Sequence, residues 1–428
     1  MRIFTVIWFG QLVSTIGSYM TEFALVLWVW EVTGSATALT LVGFFSQLPR
    51  AVITLFAGAI VDRCNRKHLM MLGDAIAVLS TVALLLLYAT ENLQIWHLYL
   101  TSAVNSSFGQ IQQLAYSTSV SLMVPSSHYT RANSMESAVH YGSAIFAPAL
   151  AGSLYPFMGL VGIFLIDIVT FGVAIATLLA VTIPQPPRIT ESSQLNTIWH
   201  DLTFGFKYFF KNSSLRFLIL ITALFWFVHD LGGAIYDPMI LARSNGSAQV
   251  LASTSVAAGI GGVVGAIGVS IWGGFRRRLR GLLVGMVGAG ISKTVFGLGR
   301  TVSIWIPAQF CSSLNFPLLG SSETAIWMAN VAPNLQGRVF STSSLIVQIV
   351  SAFATFLAGP LADRVLEPAM MSNHAVTIAL TQIFGTGPGA GMAVLYVLCS
   401  LGMVLAGLWG CTLPKLQQLE ATQSDPPM

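Results

Sequence analysis

Charged residues are scarce in this sequence. Only 8% of its 428 residues are Asp, Glu, Lys or Arg, whereas 54% are hydrophobic. A soluble domain carries roughly 25% charged residues, so this composition excludes an ordinary soluble fold. The mean hydropathy of +0.75 indicates that most of the surface faces lipid. The chain is long enough for about a dozen membrane spans of roughly 20 residues each, joined by short loops.

Cysteine is also rare, and the patterns of most enzymes are missing. The four cysteines, Cys64, Cys311, Cys399 and Cys411, have no paired spacing, so we predict neither a disulfide framework nor a metal site. The sequence has no clustered histidines or acids of the kind that a membrane enzyme needs, and no Walker-type phosphate loop. We therefore expect no enzyme activity and no cofactor. The basic residues are spread over loops, so nucleic acid is not an expected partner.

Long apolar segments separated by loop signals account for most of the chain. They predict an all-α integral membrane protein with twelve transmembrane helices in two pseudo-symmetric six-helix bundles. The predicted bundles cover residues 1–183 and 215–413, with a linker at 184–214 and a tail at 414–428. The twelve predicted spans are 3–30, 39–61, 69–89, 95–124, 135–157, 161–183, 215–240, 248–272, 282–298, 304–331, 341–362 and 390–413.

Lysine and arginine are distributed unevenly over the predicted loops. With both termini on one side, fifteen of the twenty fall on that side. Only Arg243, Arg300 and Arg364 fall on the other side, while Arg50 and Lys293 lie within spans. Because basic loops stay in the cytoplasm, this predicts a multi-pass protein of the plasma (inner) membrane with both termini cytoplasmic.

The longest polar stretch lies between the sixth and seventh predicted spans. It opens with the sequence PQPP at 184–187, which cannot continue a helix. An amphipathic helix in the cytoplasmic interface is predicted after it, either as a simple linker or as a regulatory element. Its apolar residues recur at helical spacing and are Leu195, Ile198, Trp199, Leu202, Phe206 and Phe209.

The two halves of the sequence resemble each other. The loop after the fourth predicted span reads MVPSSHYTRANS, and the loop after the tenth reads NVAPNLQGRVFS. Pro125 precedes Arg131 by six residues, and Pro333 precedes Arg338 by five. Similar loops at similar spacing predict two parallel repeats of six helices. Chance similarity between apolar segments is the alternative.

A dense charge cluster follows the second predicted span and carries a family resemblance. Residues 58–67 read GAIVDRCNRK and match the pattern G-x-x-x-D-R-x-x-R-[RK], in which the matching residues are Gly58, Asp62, Arg63, Arg66 and Lys67. With the span count, this sequence resembles the major facilitator superfamily. The GRVF sequence at 337–340, GPLADRVLEP at 359–368 and GTGPG at 385–389 are similar to its branch of macrolide-efflux and enterobactin-exporter-like proteins.

The resemblance implies a secondary transporter that works by alternating access. It implies export of small amphipathic molecules such as drugs, macrolides or siderophores, usually by proton antiport. Two signatures of proton-coupled members differ here, because the fourth span reads NSSFGQ at 105–110 and the fifth reads APALAG at 147–152. These two differences concern the proton coupling and not the transport. An importer or facilitator of a native metabolite is the alternative function. The expected partners of a monomer are a small-molecule substrate, protons and the lipid bilayer.

The resemblance also gives the loop at 58–67 a role in gating. In the family, its acid approaches the start of the eleventh helix, where the helix dipole favours an anion. This implies that Asp62 works with Gly337 and Arg338 in one state of the gate. A simple cluster of cytoplasmic charges is the alternative, although such a cluster needs neither an acid nor a glycine.

Ionisable residues within predicted spans are further candidates, because burying a charge in lipid is costly. They are candidates for proton or substrate coupling. The alternative is a structural ion pair for Arg50 and a structural hydrogen-bonding role for Asp74 and Asp167. For Lys293 the alternative is snorkelling towards the surface. Lys293 could pair with Glu323, and Glu22 and Asp230 could instead lie near the outer surface. The seven candidates are Arg50, Glu22, Asp230, Glu323, Asp74, Asp167 and Lys293.

Polar but uncharged residues within the spans predict a cavity of mixed character, which suits amphipathic substrates. Aromatic residues such as Tyr116 and Trp226 could supply its apolar wall, and contact with lipid or neighbouring helices is the alternative. The predicted polar lining consists of Gln11, Gln47, Asn105, Gln110, Gln112, Gln113 and Gln348.

Overall fold

The computed structural model describes residues 1–183, 204–333, 335–372 and 375–421. All regular secondary structure within these residues is helical, which confirms the predicted all-α class. Most of the predicted linker helix, including Leu195, Ile198, Trp199 and Leu202, falls outside the described residues. Residues 204–211, which carry Phe206 and Phe209, are helical.

The first helices of the chain are long. They are α1 (Arg2–Thr33), α2 (Ala36–Arg63), α3 (Arg66–Ala89), α4 (Ile95–Met123) and α5 (Tyr129–Ala180), with a 3₁₀ turn at Ser126–His128 before α5. Polar side chains cap two of them. Ser35 accepts a hydrogen bond from the Ala38 N–H at the start of α2, and Asn65 accepts one from the His68 N–H at the start of α3.

The α5 helix is broken at one glycine. Gly159 has φ 60° and ψ −165°, a backbone conformation that residues with a side chain rarely adopt. It divides the 52 residues of α5 into two arms. The break lies between the predicted fifth and sixth spans, at 135–157 and 161–183, so the sequence correctly separated these two segments.

The rest of the chain alternates long helices with short ones. A π-helical turn at Ala362–Leu366 follows α11. These helices are α6 (Ser213–Gly233), α7 (Tyr236–Arg243), α8 (Ala248–Trp272), α9 (Arg278–Leu298), α10 (Val302–Asn330), α11 (Gln336–Leu361), α12 (Glu367–Met370), α13 (Ala375–Phe384), α14 (Ala390–Thr412) and α15 (Pro414–Ala421).

Nine helical segments among the described residues are long and apolar enough to cross a membrane. One of the nine is α5, which Gly159 divides. The helices α4 and α10 have 29 residues each but are less apolar, and they fall outside this set. Counting the two arms of α5 separately and adding α4 and α10 would give the twelve predicted spans. The membrane fold is confirmed, and the exact number of crossings stays a prediction.

The described residues pack into two compact units. The N-terminal unit contains residues 1–183 and 246–256, and the C-terminal unit contains residues 204–245 and 257–421. In the N-terminal unit, α1 packs along α5, and α2 and α3 pack on α4. In the C-terminal unit, α9 packs against α10 and α14, and α6 packs against α11 and α14. The bundle boundaries predicted from the sequence stay a prediction.

Each unit has its own apolar core. In the N-terminal unit, Phe4, Ile7 and Met70 are fully buried. In the C-terminal unit, Leu218 and Phe225 are fully buried, together with side chains from α9 and α10. Burial of such a side chain contributes roughly 1.5–3 kcal/mol in water. Within lipid, close packing between helices replaces much of that driving force.

Candidate functional site

The segment 58–67, predicted as a loop, is mostly helical: it contains the end of α2, a two-residue connection at 64–65 and the start of α3. Its basic residues Arg66 and Lys67 bind backbone carbonyl groups of other helices. Arg66 Nη1 donates a hydrogen bond of 2.9 Å to the Thr118 carbonyl, near the end of α4. Lys67 Nζ donates one of 2.6 Å to the Val181 carbonyl, just after α5. Cations stabilise these positions because carbonyl groups at helix C-termini carry partial negative charge. These two cations therefore fix the start of α3 within the N-terminal unit.

The other predicted gating residues are placed at helix ends. Asp62 and Arg63 are exposed at the end of α2. Gly337 lies in the first turn of α11, and Arg338 lies over the Phe204 ring at 5.6 Å from the ring centre. The gating role of Asp62, and its approach to α11, stay predictions.

Asp74 forms a buried hydrogen-bonded cluster in the N-terminal unit. Its side chain on α3 is only 2% exposed. Gln112 Nε2 donates to Asp74 Oδ1 at 2.6 Å, and Gln11 Nε2 donates to Asp74 Oδ2 at 3.3 Å. The two amides also contact each other, with Gln112 Nε2 at 3.4 Å from Gln11 Oε1. Gln11 and Gln112 link α1, α3 and α4 through this acid, and their predicted place in a cavity lining stays a prediction.

Asp167, on the second arm of α5, is the other buried acid of this unit and is 1% exposed. Thr81 Oγ1 on α3 donates to its Oδ2 at 3.0 Å. Its Oδ1 is buried without a hydrogen-bond partner among the described residues, and Ser18 and Thr21 of α1 lie nearby. Asp167 therefore packs α5 against polar positions of α1 and α3.

Arg50 and Glu22 have a different environment, because both side chains are exposed. Arg50 lies in the middle of α2, and its Nε donates to Gln110 Oε1 at 3.0 Å. Glu22, on α1, is close enough to Arg50 for an electrostatic interaction between their charges. Tyr19 is close enough to interact with both of these residues. The structure describes both residues, and their charged atoms lie beyond the 4.0 Å of a direct ion pair.

Asp230 is the centre of a polar cluster in the C-terminal unit. It lies three residues before the end of α6 at Gly233, and a position near the outer surface stays the alternative for this residue. Its Oδ1 is 2.8 Å from His229 Nδ1. Its Oδ2 accepts a short hydrogen bond from Ser351 Oγ of α11. The His229 ring also packs against two aromatic rings. Its centre lies 5.1 Å from the ring centre of Trp226 and 5.0 Å from that of Phe316.

Lys293 adds a positive charge near this acid. It is 7% exposed on α9, and it interacts electrostatically with Asp230 and His229. Its Nζ lies over the Tyr396 ring of α14, at 5.5 Å from the ring centre. The Tyr396 hydroxyl is buried without a hydrogen-bond partner among the described residues. The predicted pairing of Lys293 with Glu323 is wrong, because the acid near Lys293 is Asp230.

Glu323 lies apart from this cluster, further along α10. Its Oε1 is 3.5 Å from Trp327 Nε1, one helical turn away. Trp327 is buried among side chains of the C-terminal unit. Glu323 is thus partly buried next to an apolar core, and a coupling role for it stays a prediction.

The predicted cavity residues have varied surroundings. Asn105 accepts a hydrogen bond of 2.8 Å from Ser80 Oγ, and Gln348 donates one of 3.0 Å to Ser344 Oγ. The Tyr116 ring is buried, whereas Gln113 is exposed and Gln47 is half-buried. Their role as a cavity lining stays a prediction.

Sequence reasoning missed three residues of the C-terminal cluster: His229, Ser351 and Tyr396. His229 could have been found, because a His-Asp pair within an apolar segment is costly in lipid and so points to function. Ser351 and Tyr396 had no such signal. Serine is common in membrane helices, and tyrosine is common at membrane interfaces. Packing of α6 against α11 brings Ser351 to Asp230, and packing of α9 against α14 brings Tyr396 to Lys293.

Comparison with known proteins gives consistent matches. A sequence profile of the Major Facilitator Superfamily matches residues 7–355. Macrolide efflux protein A of Streptococcus pyogenes is 26% identical over 364 residues, which cover 85% of this chain and 90% of that protein. Multidrug efflux pump Tap of Mycolicibacterium fortuitum is 22% identical over 427 residues, which cover 96% of each chain.

Solved structures show the same fold at lower identity. A bacterial homologue of the iron transporter ferroportin, in an inward-facing state, matches with a TM-score of 0.71 and 16% identity, over 96% of this chain and 99% of that one. A POT family transporter in complex with a thioalcohol-conjugated peptide matches with a TM-score of 0.73 and 13% identity, over 99% and 97%. At these identities the likeness concerns the fold alone.

Proposed function

Because this chain belongs to the Major Facilitator Superfamily, we propose that it exports small amphipathic molecules across the plasma membrane in exchange for protons. The cluster around Asp230 carries the proposal. An ionisable carboxyl group within an apolar helix is costly and therefore points to a function, and this one has a titratable histidine as its direct partner. The names of the efflux relatives support the direction and the kind of substrate.

The roles in the cluster follow from its contacts. Asp230 binds and releases the transported proton. His229, at 2.8 Å, orients the carboxyl group and exchanges protons with it. Lys293 balances the charge of the carboxylate when the proton has left, because opposite charges attract strongly where water is excluded. Ser351 holds the second oxygen of Asp230 in place.

Transport then follows the cycle of the family, in which two bundles rock about a central substrate site. The proton and the substrate occupy the protein in turn, so that the inward movement of one drives the outward movement of the other. The loop at 58–67 takes part in this motion as a gate, with Asp62 stabilising one of its states. We therefore expect Asp62→Asn to slow transport while leaving folding intact.

Proton exchange can be tested in everted membrane vesicles that contain the full chain. Respiration acidifies the vesicle interior, and a pH-sensitive dye reports the gradient. We expect that adding a macrolide releases protons from wild-type vesicles while the macrolide accumulates inside. Asp230→Asn should abolish both signals, because an amide keeps the shape of the side chain but carries no transported proton.

Asp74→Asn is the matched control, since it makes the same change at a buried acid with amide partners. It should keep at least about half of the wild-type signal. Macrolide accumulation that persists in the presence of an uncoupler would contradict proton antiport. Accumulation by intact cells, greater with the chain than without it, would instead favour the importer.

A further inference from the structure

Two opposite charges lie at similar depth on neighbouring helices of the N-terminal unit. The helix α1 ends at Thr33 and α2 starts at Ala36, so both charges can be measured from the same end. The helical rise from Glu22 to Thr33 is roughly 16 Å, and from Ala36 to Arg50 it is roughly 21 Å. Both side chains therefore lie well inside the span rather than at its edge.

The Arg50 guanidinium is only partly satisfied by the protein. Its Nε binds Gln110 Oε1 at 3.0 Å, and within the described part of the chain its two terminal nitrogens make no hydrogen bond. The side chain is nevertheless exposed. An exposed cation at this depth is costly in contact with lipid chains, so its free donors need water or an anion. The planar guanidinium matches the two oxygens of a carboxylate.

Glu22 provides the complementary charge without neutralising Arg50 directly. A structural ion pair would bring the charged atoms within 4.0 Å, which is not the case for these two described residues. They are nonetheless close enough to interact electrostatically. Tyr19, one helical turn before Glu22 on the same face of α1, interacts with both. Because the two charges are not in direct contact, each can still pair with an opposite charge on a ligand.

Aromatic rings lie on the same helices, just before Arg50 along α2. Phe45 stacks on Tyr99 of α4 with ring centres 5.2 Å apart, and Phe44 contacts Phe45 at 5.4 Å. Phe44 and Phe45 are half-buried, so part of each ring is accessible. Such rings offer an apolar surface for the body of a ligand.

We infer that Arg50 and Glu22 bind the two ends of an amphipathic zwitterion, with its carboxylate on Arg50 and its cationic group near Glu22. The inference rests on the proposed export of amphipathic molecules and specifies their charge. A purely cationic substrate would be repelled by Arg50, and a purely anionic one would be repelled by Glu22. A zwitterion satisfies both.

The test uses two dyes that share a cationic xanthene ring system. Rhodamine B also carries a free carboxylate, whereas its ethyl ester does not. Binding of each dye to the purified full chain in detergent is measured by fluorescence anisotropy. We expect wild type to bind rhodamine B about tenfold more tightly than the ester, since a charge-assisted bidentate contact is lost with the ester.

The variants separate the two ends of the site. Arg50→Gln should raise the Kd for rhodamine B about tenfold. The Kd for the purely cationic ester should stay the same or fall, because the charge that repels it is gone. Arg50→Lys should restore part of the preference, because it keeps the charge but not the planar geometry. Glu22→Gln should weaken both dyes equally, since both carry the xanthene cation. Lys415→Gln, which removes a distant positive charge on α15, should change neither.

Equal affinity of wild type for the two dyes, or an equal loss of both in Arg50→Gln, would overturn the inference. Size-exclusion chromatography would show that the variants are folded. Binding in detergent requires neither a proton gradient nor a transport direction. The failure of proton-coupled export with the dye preference intact would therefore refute the proposed function and leave this site standing.

Discussion

Asp74 and Asp230 are both acids within membrane-spanning helices, but their partners differ. Asp74 is held by the side-chain amides of Gln11 and Gln112. Asp230 is held by His229 and Ser351, with the Lys293 ammonium nearby. The partners of the first acid are neutral amides that do not titrate. The partners of the second include one imidazole, which can carry a proton, and one cation.

This difference separates a structural acid from a candidate proton site. Amide donors fix one arrangement of the Asp74 carboxyl group and link three helices. A histidine can take up or release the proton that the carboxyl group loses or gains. Residue type and burial alone therefore do not distinguish the two acids, whereas the chemistry of their partners does.

The largest effect on transport is expected when the partners of Asp230 are made similar to those of Asp74. His229→Gln keeps a hydrogen-bond donor beside Asp230 but removes the titratable ring. Proton-driven transport in everted vesicles should fall about 100-fold, a size typical of losing a proton-transfer partner. Exchange of labelled for unlabelled substrate without a proton gradient should persist.

Gln11→Leu is the corresponding change in the N-terminal unit, where it removes the longer amide contact to Asp74. Its transport rate should stay close to that of wild type. If both variants lost proton-driven transport to the same degree, the functional distinction between the two acids would be wrong.

A smaller effect is expected on stability in the C-terminal unit. Asp230→Asn leaves the buried Lys293 without its acidic neighbour and should lower the free energy of unfolding by about 2 kcal/mol, as expected for charges several ångströms apart in a partly polarisable interior. The double variant Asp230→Asn/Lys293→Met should be less destabilised than the sum of the single variants, because both charges are then absent. Thermal unfolding in detergent measures all three. Additive losses would show that the two charges do not interact.

The smallest effect concerns the packing that holds Asp74. A Cβ at position 73 would overlap the Gln112 amide oxygen and would lie 2.8 Å from Gln112 Cβ. Gly73→Ala should therefore displace this amide from Asp74 and lower the free energy of unfolding by about 1–2 kcal/mol. Gly109→Ala, on α4, meets nothing within 4 Å and should be neutral or stabilising by up to about 1 kcal/mol. Equal thermal shifts in the two variants would contradict a structural role for the Asp74 cluster.

Local patterns predicted much of the fold. Apolar segments of membrane-spanning length, separated by loop signals, gave the all-α membrane class and placed a break near Gly159. The pattern at 58–67 was recognisable because its residues are adjacent in the chain, so it needed no tertiary information. The same holds for the two matching loops, at Pro125 and Pro333.

The contacts between side chains of different helices could not be predicted from such local patterns. Gln110, Gln112 and Gln113 lie within four residues, yet the first binds Arg50, the second binds Asp74 and the third is exposed. The directions of these three side chains depend on how α4 is rotated relative to its neighbours. The order of polar and apolar residues along α4 does not specify that rotation. Lys293 similarly lies near Asp230 instead of Glu323.

The sequence by itself determined that this chain spans a membrane, belongs with transporters and carries ionisable groups within its spans. These properties depend on composition and on residues adjacent in the chain. Because placing charge in lipid is costly, charged residues are rare in the spans and can be recognised there from the sequence. Only the tertiary structure decided which groups meet. Asp230 meets Ser351 and lies near Lys293, whereas Arg50 and Glu22 stay apart, because helix packing sets the distances between residues that are far apart in sequence.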